Sequence, residues 1–513
     1  MDLATAITDA VATFRHRPAD LLPFYLLGAA VPVVARVPVL AAGTAVYVYL
    51  TVSGALSRFQ ARYAAAGLGS PPNPNRNPQA FSQWIERAGP IVESLIDPVV
   101  AGTLVFAGLL AALVALVTYA GVSAGQYTTC LARLRENRGL TAGVAGVREY
   151  WTTILGLYLL EIGIWVAVSL LATIVVAVAV ATGITVLAAL VTLLAFLAWS
   201  VVLAATRAVF AFAPAAAVVD EAGIVDAVEG ALSYLFTNPV AVLGYLAVVV
   251  ALGLLTTVLG ATFSAVGAGS VVGLVTLLAI TPVLDLLKVR LFGGWRGLTA
   301  PPAPPDARLR DQARNGLWHG WRVLKGFARD NPGYLVAATG LFVVGFAAGW
   351  VAASPFVGQI QASITARLAG SIPPVAAVEF MANNLTVAIG TALAGSVVGV
   401  PAAAALWFNG LFFGIYFRLE EHLLELVAFV LPHGVVEIPA ILVAGAVGLR
   451  LGVVTWRTWR GSVSVSDLAD ALEESFWVLV GVGLLLVLAG LIEGFVSPYY
   501  YRAFLSGVSK LGL

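Results

Sequence analysis

The chain has 513 residues, of which 60% are hydrophobic and 11% are charged, and its formal net charge is +1. Its mean hydropathy of +0.95 leaves too little polar material to cover a soluble protein of this length. The balanced charge and the lack of basic blocks with interleaved aromatic residues argue against nucleic acid as a partner.

Long apolar segments with few charges recur along the chain. A bilayer core requires about 20 apolar residues per helix. Because backbone groups in lipid must be satisfied within a segment and no barrel-like alternation is present, these segments predict helices. We expect an all-α, polytopic membrane protein with about 11–12 spans in two helical bundles.

The candidate spans fall into two groups. Before residue 293 they are 21–57 (a short hairpin or one broken helix), 98–131, 155–181, 186–212, 240–266 and 271–292. After it they are 334–353, 385–405, 406–431, 435–454 and 476–496, the third of which has a charged middle and is either a span or re-entrant.

A segment rich in Pro and Gly, residues 293–315, cannot continue a helix. It divides the chain into a predicted membrane domain at 1–292, a linker at 293–316 and a second membrane domain at 317–513. Because cytoplasmic loops carry an excess of Lys and Arg, the basic residues around it predict a cytoplasmic linker in a multi-pass protein of the cell membrane. The side on which the loop 58–97 lies stays open.

A mildly amphipathic segment that runs into a polar residue and a proline, with a membrane helix directly after it, occurs three times. The prolines are Pro18, Pro239 and Pro332, and two weaker relatives at 140–160 and 466–484 lack the proline. Such segments suit the membrane interface, and proline is tolerated at a helix start. The repeat predicts interfacial elbow helices, with ordinary connecting helices as the alternative.

Each of the five C-terminal spans contains a Gly-x-x-x-Gly motif. Glycines at this spacing let helix backbones touch, so that packing replaces the hydrophobic effect that lipid cannot supply. The motifs predict a tightly packed bundle, and we expect a homo-oligomer such as a dimer, with other membrane proteins as further partners besides the lipid bilayer. The pairs are Gly345 with Gly349, Gly395 with Gly399, Gly410 with Gly414, Gly448 with Gly452 and Gly490 with Gly494.

Several polar residues lie within these spans, where an amide or carboxyl group without a partner is costly. We interpret them as one buried polar cluster. Its members are Asn383, Asn384, Asn409, His433, Glu437, Arg450 and Glu493.

His433 and Glu437 are four residues apart and share one face of a helix expected to start near Pro432. This spacing suits a metal, a proton relay or an intramembrane hydrolase. The favoured alternative is a hydrogen-bonded group that locks the bundle, because no His-rich or Asp-rich motif supplies further ligands. We therefore expect no metal, no cofactor and no catalytic residue.

In the N-terminal half, Glu161 and Arg207 lie in apolar runs on neighbouring spans and are expected to pair. The single cysteine, Cys130, leaves no partner for an intrachain disulfide and is expected to be a small buried residue. The sequence contains neither a nucleotide-binding loop nor a serine-hydrolase elbow, which argues against those activities.

The segments "NNLTVAIGTALAGSVVGVPAAAALWFNGLFFGIYF", "LPHGVVEIPAILVAGAVGLRLG" and "LIEGFVSP" together resemble the stage II sporulation protein M family of membrane proteins, over about 318–498. The resemblance implies signature positions at Asn383, Asn384, Asn409, Gly410, His433, Gly434, Glu437, Pro439, Gly448 and Glu493. The N-terminal half resembles the membrane domains attached to glycerophosphoryl diester phosphodiesterases, although no phosphodiesterase catalytic domain accompanies it.

The resemblance implies a role like that of the family's named member, a scaffold that assembles cell-wall hydrolases during engulfment in spore-forming bacteria. The first 300 residues depart from the short bacterial form. Our leading hypothesis is therefore a non-enzymatic membrane scaffold or membrane-organising protein. The alternatives are a transporter or channel that uses the polar cluster, and an intramembrane metal-dependent hydrolase that uses His433 and Glu437.

Overall fold

Apolar helices make up almost the whole protein. The structure is a computed structural model that describes residues 2–72, 77–360, 363 and 373–500. It is 86% helical, and the described residues contain no β-strand. Eleven of the described helical segments are long and apolar enough to cross a membrane, which confirms the predicted all-α, polytopic class.

The helices before the linker run as follows: α1 Leu3–His16, α2 Leu22–Val52, α3 Ala55–Ala65, α4 Pro78–Glu93, α5 Pro98–Arg133, α6 Gly139–Ala181, α7 Thr185–Val219, α8 Ile224–Thr237, α9 Pro239–Val266, α10 Ser270–Val275 and α11 Thr281–Trp295. One π-helical turn, Thr276–Ile280, joins α10 to α11. After the linker come α12 Leu309–Asp330, α13 Pro332–Ala353, α14 Pro373–Ala394, α15 Val400–Leu419, α16 Leu423–Trp459 and α17 Val465–Phe495.

Two helix breaks in the C-terminal half differ from the predicted spans. The expected span 385–405 is interrupted between α14 and α15, where Val398 and Gly399 have φ angles of 56° and 78°. The apolar run continues through this turn, so hydropathy could not reveal it. The expected span 406–431 is also two helices, because α15 ends at Leu419 and α16 begins at Leu423.

The helix that carries His433 and Glu437 does not start near Pro432, as the sequence predicted. Pro432 and Pro439 both lie inside α16, which is 37 residues long. Membrane helices tolerate internal proline because neighbouring groups satisfy the backbone atoms that it frees. For the same reason α2 is one continuous helix of 31 residues with Pro32 and Pro38 inside it, and not a hairpin.

The three elbows have the structure that the repeat predicts. Helices α1, α8 and α12 each end two residues before a proline. A candidate spanning helix begins at that proline or a few residues after it. In the second and third copies, Asn238 and Asn331 donate from Nδ2 to the carbonyl oxygens of Tyr234 (3.4 Å) and Phe327 (3.1 Å). The two relatives without proline run on uninterrupted as parts of α6 and α17. At these five copies of the repeat, a break between two helices accompanies the proline.

Several connections between helices lie at the same end of the protein and are joined by polar contacts. We call this end the linker end, and it is formed by residues 17–21, 134–138, 220–223, 296–308 and 460–464. Arg135 Nε donates to the carbonyl oxygen of Leu298 at 2.9 Å. Arg296 Nη2 lies 2.6 Å from the carboxylate of Asp220. The elbow helices α1, α8 and α12 all lie at this end.

The opposite end of the helices carries the described parts, 58–72 and 77–97, of the loop whose side the sequence left open. Because α2 is continuous, this loop lies one full span away from the first elbow. Tyr47 donates to the carbonyl oxygen of Ala352 (3.4 Å), and Tyr49 donates to Asp97 (2.6 Å), so the loop sits beside the end of α13.

Asp20, in the first elbow, caps the start of α6. Its two carboxylate oxygens accept from the backbone amides of Gly139 (2.8 Å) and Leu140 (2.9 Å). Arg133 Nη1 lies 3.4 Å from the same carboxylate, and both side chains are buried. No local side chain caps α6, so Asp20 satisfies amides that the helix itself leaves without partners.

The Gly-x-x-x-Gly motifs of α13 and α15 pack against each other. A Cβ added at Gly345 or Gly349 would lie 2.0 Å from a carbonyl oxygen of α15, at Trp407 or Leu411. The reverse contacts are equally close, since a Cβ at Gly410 or Gly414 would meet a carbonyl oxygen of α13 at 2.0 Å. Only glycine allows this approach of two backbones.

The other three motifs also close helix contacts within the chain. A Cβ at Gly395 would lie 2.0 Å from the carbonyl oxygen of Gly448, and one at Gly452 would lie 2.3 Å from the Cα of Gly399. Glycines 490 and 494 face α14, with carbonyl oxygens of α14 at 2.9 and 2.8 Å from the added Cβ positions. The tightly packed bundle is therefore formed by glycines of one chain.

One apolar core contains residues from both sides of the linker. Phe24, Leu140, Ile389 and Leu472 belong to the same buried cluster. At the linker end, Arg138 donates to both Asp470 and Glu473 of α17. The division into two domains at 293–316 stays a prediction.

We predict that Gly349→Ala lowers the free energy of unfolding by about 1–3 kcal/mol, because its Cβ forces α13 away from the Leu411 carbonyl oxygen. Gly340→Ala is the control on the same helix, where a Cβ meets nothing within 4 Å. It should be neutral or stabilising by up to about 1 kcal/mol. Thermal unfolding of the purified protein in mild detergent measures both, and equal effects would contradict the packing described.

We predict that Asp20→Ala destabilises the protein by about 3 kcal/mol, because it leaves two helix amides and the buried Arg133 without this carboxylate. Asp2→Ala is the control, since Asp2 is exposed and its side chain makes no cap hydrogen bond. Thermal unfolding again provides the measurement. A loss no larger than that of the control would show that Asp20 does not hold α6.

Candidate functional site

A cavity of about 300 Å³ opens between the helices of the C-terminal half. Side chains from α13 to α17 line it. Its polar lining comprises Asn383, Asn384, Asn409, His433, Glu437 and Glu493. Its aromatic lining comprises Phe342, Phe380, Phe412, Phe413, Tyr416, Phe417 and Phe429. Six of the seven residues interpreted from sequence as one polar cluster therefore meet around one space.

Each polar side chain reaches the cavity from a helix held by a glycine contact. Asn409 precedes Gly410, which touches the backbone of α13, and Glu493 precedes Gly494, which touches α14. His433 and Glu437 are one turn apart on α16 and so point to the same side. The close helix packing is what brings these groups within reach of one another.

His433 is the most enclosed member of the group, with 5% of its surface exposed. Its Nδ1 lies 3.0 Å from the hydroxyl of Ser497, and its Nε2 lies 4.0 Å from Oε1 of Glu493. The ring of Phe429 packs edge-on against the imidazole at 5.4 Å between centroids. One ring nitrogen therefore has a hydroxyl partner while the other faces a carboxylate across a gap longer than a hydrogen bond.

His433, Glu437 and Glu493 form a compact triad. One potential ligand atom from each residue lies within 4.8 Å of the other two. The triad combines one imidazole and two carboxylates, which are side chains that act as proton carriers or as ligands for a metal ion. Sequence reasoning paired His433 with Glu437 as a possible ligand set, to be completed by His422, Glu420, Glu421 and Glu425 if that segment folds back. It missed Glu493 of α17, which is the residue that lies close to both.

The three asparagines supply amide groups beside the triad. Asn383 Nδ2 donates to Asn384 Oδ1 at 3.3 Å, which orients the neighbouring amides of α14. Asn383 is exposed and Asn384 is half-buried. Among the described residues that line the cavity there is neither Lys nor Arg, and His433 is the basic side chain beside the two carboxylates.

Arg450 lies apart from the other predicted members. It forms an ion pair with Glu474 of α17 at 2.8 Å and packs over the ring of Phe327 of α12 at 5.8 Å. It is 17 residues after His433 on α16, a rise of about 25 Å along the helix axis. The position of Arg450 in an apolar span could not show whether its side chain lies near the cavity or near the other end of α16.

The aromatic wall and Ser497 were not among the predicted site residues. The wall comes largely from the segment "WFNGLFFGIYF" of α15, whose aromatic residues surround Asn409 in the sequence. This run of aromatic residues around one asparagine was a usable signal of a pocket, because pockets are lined mainly by apolar and aromatic side chains with a few polar groups among them.

The N-terminal half contains a second set of buried polar groups. Lys288 Nζ lies 2.6 Å from Asp285 Oδ1 and donates to the Tyr127 hydroxyl at 2.6 Å. The predicted pair forms, with Arg207 Nη1 3.1 Å from Glu161 Oε1, but only Glu161 is buried, because 59% of the Arg207 side chain is exposed. Each buried charge found here has an opposite partner, as lipid requires.

Cys130 is buried, as the sequence predicted. Its Sγ lies 3.1 Å from the hydroxyl of Tyr25, which ties α5 to α2.

The fold and its apolar helices define a multi-pass, all-α membrane protein. Residues 338–498 match the family model of stage II sporulation protein M. The matched range runs from within α13 to just beyond α17, and it contains all six polar residues of the cavity and all ten motif glycines. The C-terminal resemblance is therefore confirmed over this range.

Comparison with curated proteins and with solved structures found no match. The family match does not include the N-terminal half. The resemblance of that half to phosphodiesterase-associated membrane domains stays a prediction.

Proposed function

We propose that this protein is a non-enzymatic, membrane-organising scaffold of the stage II sporulation protein M type, placed in the cell membrane with its linker end in the cytoplasm. The observation that carries the proposal is an exposed basic face on α12, a surface helix fixed to the bundle. The similarity of residues 338–498 to the family supports it. A sporulation role is not part of the proposal, because the N-terminal half lies outside the matched range.

Helix α12 is fixed to α17 along its apolar side. A Cβ at Gly320 would lie 2.6 Å from the side chain of Val480, and Leu324 packs over Gly481. Phe327 is buried on the same side. The orientation of α12, and therefore of its outward face, is set by these contacts.

The outward face of α12 is strongly basic. The exposed Trp318 lies among the charges and gives the face an aromatic contact residue. Only Asp311 and Asp330 oppose the cations on this helix. The exposed basic residues are Arg310, Arg314, Arg322, Lys325 and Arg329. Such a face attracts acidic surfaces, and its cations favour a cytoplasmic position for the linker end.

The motif glycines do not support the predicted homodimer. All ten face other helices of the same chain, so they are not available to a second copy. The homodimer stays a prediction, and the basic face of α12 is the surface on which the scaffold proposal depends. Transport and metal-dependent hydrolysis, the other two hypotheses from the sequence, also stay predictions.

The proposed sidedness predicts opposite labelling of two engineered cysteines. With a membrane-impermeant maleimide on intact cells, Ser82→Cys, in the loop at the opposite end, should react. Ser462→Cys, at the linker end, should react only after permeabilisation. Both serines are exposed, and the unchanged chain is the control because its single cysteine, Cys130, is buried. The reverse pattern would overturn the cytoplasmic assignment.

The scaffold proposal predicts a partner that depends on the charge of α12. A photo-crosslinking amino acid at Trp318 in native membranes should give a discrete protein adduct, and the double change Arg322→Gln and Lys325→Gln should reduce its yield at least about tenfold, since several exposed cations are removed from the contact. The matched control places the crosslinker at Val225, an equally exposed apolar residue of α8. The same adducts at both positions, or none at Trp318, would contradict the proposal.

A further inference from the structure

We infer that His433, Glu437 and Glu493 form a binding site for one divalent transition-metal ion at the cavity. This inference does not depend on the scaffold function, and it departs from our expectation from sequence that the protein binds no metal. Four properties of the site carry it: the spacing of the triad, the partner of His433, the charge of the lining and the space beside the triad.

The spacing of the triad places three potential ligand atoms around one small space. His433 Nε2 and Glu493 Oε1 are 4.0 Å apart, well beyond hydrogen-bonding distance. Two ligands that each lie about 2.1 Å from one metal ion are separated by about 3.0 to 3.4 Å at coordination angles of about 90° to 109°, so these two atoms approach each other by about 0.6 to 1.0 Å when an ion binds. The third ligand atom, from Glu437, lies within 4.8 Å of both, so all three side chains rotate toward a common ion in the proposed site.

The partner of His433 is the kind that supports a metal-binding imidazole. Its Nδ1 is 3.0 Å from the hydroxyl of Ser497, whose residue is fully buried. When Nδ1 donates its proton to this hydroxyl, Nε2 carries the lone pair and faces Glu493. A hydrogen bond to the remote nitrogen fixes the tautomer and the ring orientation of histidine ligands.

The charge of the lining favours a cation. Glu437 and Glu493 bring two carboxylates into a wall otherwise made of aromatic, aliphatic and amide groups, and the described lining residues include no Lys or Arg. The negative charge of two carboxylates beside one small cavity attracts cations. A divalent ion at this place interacts with both carboxylates at once.

The donor atoms and the free space beside them indicate which divalent ions the site would bind. One imidazole with two carboxylates suits borderline divalent ions such as Zn²⁺, Mn²⁺ or Co²⁺, whereas Ca²⁺ prefers six to eight oxygen ligands and Cu⁺ prefers sulfur. Three protein ligands leave a coordination position open, and the cavity of about 300 Å³ has room for water or a small ligand there. The amides of Asn383, Asn384 and Asn409 lie in the same lining.

The test is metal binding by the full chain, purified in mild detergent through a tag without histidine, stripped with a chelator and titrated with Co²⁺ and Zn²⁺. We expect one equivalent bound, with a visible Co²⁺ absorption band. His433→Ala, Glu437→Gln and Glu493→Gln should each weaken binding at least about a hundredfold, and Ser497→Ala about tenfold.

The matched control is the exposed pair Glu421 and His422, changed to Gln and Ala, which lies just before α16 and outside the cavity lining. These changes should leave affinity and stoichiometry unaltered. Thermal unfolding checks that every variant is folded. If a triad variant does not fold, the stoichiometry of the unchanged protein and the Ser497→Ala affinity decide. Binding below half an equivalent, or binding that survives His433→Ala, would overturn the site.

Discussion

Direct contact between helix backbones at glycine is the interaction on which the rest of this structure depends. Lipid provides no hydrophobic force between helices, so they associate by close packing and weak polar contacts. In the C-terminal half each of the five predicted Gly-x-x-x-Gly motifs lies at a contact between helices, and at most of these glycines a backbone atom of the other helix occupies the space that a Cβ would need. This dense seam fixes the helix positions from which the polar side chains project.

The polar cavity follows from that packing. Amides and carboxylates that would be costly alone in lipid are brought together from four helices by the same contacts that close the bundle. The triad of His433, Glu437 and Glu493 combines a fixed imidazole with two acids and open space. The basic face of α12 lies elsewhere, at the linker end, so binding in the cavity and binding of a partner use different surfaces of one body.

Proline marks where short helices end and candidate spans begin, whereas glycine allows the spans to pack closely. At Pro18, Pro239 and Pro332 a short helix ends and a candidate span begins, whereas α6 and α17, which lack a proline at that place, continue. Pro432 and Pro439, in contrast, lie inside α16 without ending it. The effect of a proline therefore depends on whether neighbouring helices hold the chain on both sides of it.

The sequence by itself determined the helical class, the elbows, the pairing of Glu161 with Arg207 and the identity of six cavity residues, because hydropathy, proline position and the cost of burying polar groups are local properties. Only the tertiary structure decided which glycines meet, where the apolar run 385–405 turns, that Arg450 pairs with Glu474, and that Glu493 joins His433. These outcomes depend on approaches between helices far apart in the chain, and no local pattern encodes such distances.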